Sequence, residues 1–99
     1  MKIVLLLYLE EDGPAVTKLL SDQGVGAYSR LPLEGHGAGK AGGWYGDIAT
    51  HSSKMIFTII SDEEAESLLE AVKGVSVQDA GHPIHAALLH LEAWVHSSP

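Results

Sequence analysis

Ile3-Val4-Leu5-Leu6-Leu7-Tyr8-Leu9 is apolar on both of its alternating sets: Ile3, Leu5, Leu7 and Leu9 on one side, Val4, Leu6 and Tyr8 on the other. Successive side chains of a strand point to opposite faces, so a strand of this composition asks for cover on both. Lys54-Met55-Ile56-Phe57-Thr58-Ile59-Ile60 repeats the pattern, with Met55, Phe57 and Ile59 against Ile56 and Ile60. The first run is too short to cross a bilayer as a helix. It is followed at once by Glu10-Glu11-Asp12 with no small-residue cleavage pattern, which marks it as a buried strand rather than a signal peptide.

Working outward, Asp12-Gly13-Pro14 offers a cap and a proline at the first helical position, and Val16, Leu19 and Leu20 follow at helical spacing until Gly24. Tyr28 to Glu34 reads as a second strand. Pro32 inside it predicts an edge position or a bulge, because proline donates no ladder hydrogen bond. After the third strand, Lys54–Ile60, Ser61-Asp62-Glu63-Glu64 is a capping box with Ser61 as N-cap and Glu64 at N3. Ala65, Leu68, Leu69 and Val72 form the apolar stripe of that second helix, which ends at Gly74. Val75-Ser76-Val77 reads as a short extension and Ala87 to Val95 as the last strand, with His90, Glu92, Trp94 and His96 on one face.

The order β-α-β-β-α-β predicts an α+β, ferredoxin-like sandwich in which an antiparallel sheet carries both helices on one face. Two helices cover only one side of a sheet whose strands are apolar on both. Leaving the second side in water forgoes roughly 1.5–3 kcal/mol per large side chain, so other copies of the chain are expected to bury it. The expectation is a homo-oligomer.

Ninety-nine residues fit one domain, 1–99, and a 45% hydrophobic share fits a folded chain. Thirteen Asp and Glu against six Lys and Arg give a net charge of -7, which opposes nucleic acid and anionic membranes as partners. The absence of cysteine rules out disulfides and thiolate metal sites and is compatible with a cytoplasmic location.

Between strands two and three runs Gly35-His36-Gly37-Ala38-Gly39-Lys40-Ala41-Gly42-Gly43-Trp44-Tyr45-Gly46, part of a connection from about 35 to 52. A hairpin needs only a few linking residues, so a connection this long points to a function. Gly35, His36, Gly37 and Lys40 are candidate ligand-binding residues. Trp44, Tyr45 and Gly46 are candidates for contact with a partner, since amphipathic rings serve interfaces well.

With that topology, the chain resembles the PII and PII-like signalling family, whose connection between strands two and three is the T-loop. The matching residues are Gly24-Val25-Gly26 after the first helix, Gly35-His36-Gly37 and Lys40 opening the loop, and Trp44-Tyr45-Gly46 farther on. The resemblance implies a trimer, a small effector held in clefts between subunits at the loop base, and loop tips that dock onto a partner protein such as a membrane transporter. It also implies a reporter rather than an enzyme, with an adenine nucleotide as one effector.

Nitrogen-signalling members carry Gln just before the loop lysine, where this chain has Gly39. They also carry Gly-Asp-Gly-Lys before strand four and Arg-Thr-Gly after it, and neither is visible here. Past Gly74 the ionised side chains at neutral pH are Asp79 and Glu92, so the usual cationic clamp on a triphosphate is missing. Leu31-Pro32-Leu33-Glu34-Gly35-His36-Gly37 looks more like the branch found beside heavy-metal efflux pumps.

Six histidines, His36, His51, His82, His85, His90 and His96, are many for a short chain, and imidazole binds divalent metal ions. An alternative function is therefore a metal-binding accessory protein using His36, His51, His82 and His85, although ordinary exposed loop histidines are the plainer reading. A third class is a small enzyme with His51 or His85 as base near Asp47 or Asp79. It has no support beyond residue type.

Overall fold

The computed structural model of the protein describes residues 1–36, 52–79 and 81–98. Its strands are β1 (Lys2–Leu9), β2 (Ser29–Leu33), β3 (Ser53–Ile60) and β4 (His85–His90), and its helices are α1 (Gly13–Asp22) and α2 (Asp62–Val72). They form an antiparallel sheet in the order β2-β3-β1-β4, the ferredoxin-like arrangement. The two-sided strands β1 and β3 occupy its centre. Pro32 lies in β2, an edge strand, where its missing donor costs nothing.

Both helices lie on one face. Val16, Leu19 and Leu20 of α1 and Ala65 and Leu68 of α2 close over Val4, Leu6 and Tyr8 of β1 and Ile56 and Ile60 of β3, all buried. Thr58 shares this interior face, and its hydroxyl donates to the Ala27 carbonyl at 2.8 Å, so burial leaves it satisfied. Gly24 takes φ +73° after α1, a conformation that favours glycine. Ser61 caps α2 as anticipated: its Oγ accepts the Glu64 N–H at 3.2 Å, and the Glu64 carboxylate accepts from the Ser61 N–H and hydroxyl.

The opposite face is uncovered. Because directly opposed residues of antiparallel strands share a face, register assembles Leu31, Met55 and Leu7 in one row, Phe57 and Leu5 with Ala87 in the next, and Ile59, Ile3 and Leu89 in a third. The central members are half-buried by their neighbours, while Leu31 and Leu89 at the margins are 41% and 45% exposed.

Three expectations are corrected. The first concerns β4, which stops at His90 because β1 begins at Lys2, its direct partner, and no strand remains to pair residues beyond it. Glu92, Trp94 and His96 therefore lie outside any strand, and Trp94 is 68% exposed. His90 itself pairs with Lys2 on the helix side, so it is His85, Ala87 and Leu89 that look out from the open face. Second, Val75-Ser76-Val77 adds no regular element. Third, Asp12 occupies the N-cap position of α1 but makes no side-chain cap bond; a 3-10 turn, Glu10–Asp12, precedes the helix.

Candidate functional site

Leu33 closes β2 directly opposite Ser53, which opens β3, so both ends of the long connection leave the same end of the sheet side by side. Gly35 and His36 follow β2 here, and the exposed His36 ring nitrogen Nε2 lies 3.1 Å from Glu34 Oε2. On the returning side the Glu10 N–H donates to the Ser52 carbonyl at 3.0 Å. Leu9, Glu10, Glu11 and Ser52 line a shallow cleft of ≈ 410 Å³, and among the described residues its ionisable lining is Glu10 and Glu11. Gly37, Lys40, Trp44, Tyr45, Gly46 and His51, as well as Asp47, lie outside the described residues.

The segment that leads into β4 arrives at the same end. Asp12, 2% exposed, accepts the backbone N–H of Gln78 on Oδ1 at 2.9 Å, while its Oδ2 is buried without a partner among the described residues. Asp79 then organises a turn: its Oδ1 accepts the Gly81 N–H at 2.9 Å, its carbonyl accepts the His82 N–H at 2.9 Å, and its Oδ2 lies 2.7 Å from His82 Nδ1. His85 opens β4 opposite Leu7 on the open face.

Thus Gly35, His36, His82 and His85, distant in sequence, gather at one end of the sheet. They do not converge within one protomer. His36 leaves the β2 edge and His85 starts the β4 edge, three strand spacings apart, which is about 14 Å between those strands. Among the described residues no group of three or more His, Cys, Asp or Glu side chains is placed to hold a metal ion. Asp12 and Ser52, which tie this end together, escaped the sequence reading. Asp12 was legible only as a helix cap, because its real partner is 66 positions away.

The architecture has solved counterparts. The structure of CPII bound to ADP, AMP and acetate, from Thiomonas intermedia K12, matches with a TM-score of 0.65 over 89% of this chain and 82% of that one, at 19% identity. The fold is PII-like. A structure from Thermus thermophilus described as a PII-like signalling protein matches with a TM-score of 0.61 over 88% of this chain and 82% of that one, at 17% identity. No protein-family model and no curated protein matches the chain. No helix among the described residues is long and apolar enough to cross a membrane.

Proposed function

We propose that the protein is a non-enzymatic PII-like regulator that works in the cytoplasm as a trimer. Copies bury the apolar face built from Leu5, Leu7, Met55 and Phe57 against one another. This brings the loop-base end of one chain beside its neighbour, and a small effector binds in the cleft so formed. The Gly-rich connection then docks onto a partner protein such as a transporter. The observation that carries the reading is the open face: central strands apolar on both sides, with helices on only one. An adenine nucleotide is the leading effector class, since CPII was solved with ADP and AMP. Gly35, His36, Gly37 and Lys40 are its proposed contacts, and Trp44, Tyr45 and Gly46 the partner contacts.

A variant lacking Ala38 to Gly46 tests this. It should keep its fold and assembly and lose capture of its native partner, while ADP or AMP raises the melting temperature of the intact chain, as any ligand of the native state does. Undiminished partner capture by the shortened chain, or a wild-type chain that sediments as a folded monomer, would overturn the proposal.

A further inference from the structure

On the helix side of the sheet, at a corner that α1 leaves open, Tyr8, Glu10, Gly13, Arg30 and Lys54 line a small cavity of ≈ 290 Å³. Register explains the gathering. Lys54 and Tyr8 are direct partners across β3 and β1, Pro32 opposes Lys54 from β2, and Arg30 lies two residues back on the same face as Pro32. The turn from β1 into α1 then brings Glu10 and Gly13 to the rim.

Acidic residues outnumber basic ones thirteen to six, so two cations meeting at one corner run against the overall charge. Lys18 pairs with Asp22 at 2.6 Å and Lys73 with Glu70 at 2.9 Å. Lys54 reaches Glu10 only at 3.9 Å, beyond hydrogen-bond length, and no carboxylate pairs with Arg30 among the described residues. The Arg30 guanidinium instead lines the cavity beside Tyr8, close enough for its charge to favour the ionised phenol. A guanidinium has five N–H donors in a planar fork, and most of Arg30's remain for another acceptor.

We propose that this corner is a binding site for a small oxyanion, the phosphate or carboxylate group of a metabolite. Arg30 and Lys54 supply the charge, and the Tyr8 hydroxyl at the cavity wall a further donor. Glu10, 62% exposed, is a built-in competitor that swings into solvent when the anion arrives. The site lies on the opposite side of the sheet from the apolar face, so it stands or falls independently of the regulatory reading above.

The test is titration of the full chain with inorganic phosphate, and separately with formate, against chloride at matched ionic strength, followed by amide and tyrosine-ring resonances. Saturable shifts centred on Tyr8, Gly13 and Lys54 are expected, and the tighter of the two probes identifies a phosphoryl or a carboxylate source. Arg30→Gln, at an exposed edge-strand position, should weaken binding by about tenfold or more, as loss of a charge-assisted hydrogen bond does. Lys54→Gln should weaken it as well, and Glu10→Gln should tighten it. Absence of a saturable shift with both probes overturns the proposal. So do shifts that persist unchanged in both cation variants, or that appear equally around Lys18 and Lys73.

Discussion

The buried carboxylate of Asp12 accepts the Gln78 N–H at 2.9 Å and so fastens the β1–α1 turn to the segment entering β4. Two residues earlier the Glu10 N–H holds the Ser52 carbonyl at 3.0 Å. One short 3-10 turn therefore tethers both the return of the long connection and the approach to β4, the two segments that meet where an effector is proposed to bind.

Asp12→Ala removes a charged acceptor and strands the Gln78 amide, a loss of about 1–3 kcal/mol. The lower part of that range is expected, because Asp12 Oδ2 is already buried without a partner and its removal relieves a desolvation cost. Asp12→Asn keeps an acceptor oxygen and should lose less. Urea denaturation measures both, and faster amide exchange at Gln78 in Asp12→Ala would locate the effect.

Leu5 and Phe57 oppose each other at the middle of the uncovered face. Phe57→Glu places a charge there without touching the core beneath the helices. Sedimentation should report a folded monomer, with far-ultraviolet circular dichroism unchanged. An assembly of unaltered mass would show that this face is not the interface.

The Ser61 side chain caps α2 by accepting the Glu64 N–H at 3.2 Å. Ser61→Ala should cost about 1 kcal/mol, the ordinary worth of an N-cap. Ser61→Asp, which restores an acceptor, should recover most of it in the same denaturation experiment.

Burial pushes the Tyr8 phenol above its usual value of 10.0, and the neighbouring Arg30 guanidinium pulls it partly back. In the unfolded chain this phenol ionises near the usual value, whereas the native state keeps the proton. The associated stability is present below that pH and is lost as pH rises through the folded value. Tyr8→Phe should flatten this part of the alkaline decline in denaturation midpoint, and Arg30→Gln should raise the phenol further in an ultraviolet difference titration.

Where the determinants were local, they could be read directly. The capping box at Ser61, the glycine after α1, the helical stripe of Val16, Leu19 and Leu20, and the proline that sends β2 to an edge each depend on neighbours a few residues away. The end of β4 could not be read this way. Leu91 to Val95 alternate well enough for a strand, but pairing requires a partner, and β1 offers none beyond Lys2. The separation of His36 from His85 was equally illegible, since spacing along the chain said nothing of the two strands that stand between them.

The amino-acid order by itself determined where the strands and helices lie, apart from the end of β4, and that one face of the sheet would lack cover, because periodicity and capping are properties of short stretches. The tertiary structure alone decided which side chains meet. Tyr8, Arg30 and Lys54 share a corner, and Asp12 finds Gln78, only because strand register and the β1–α1 turn bring them together. Register is settled by the burial of whole faces at once, a collective free energy that no single stretch of this chain contains.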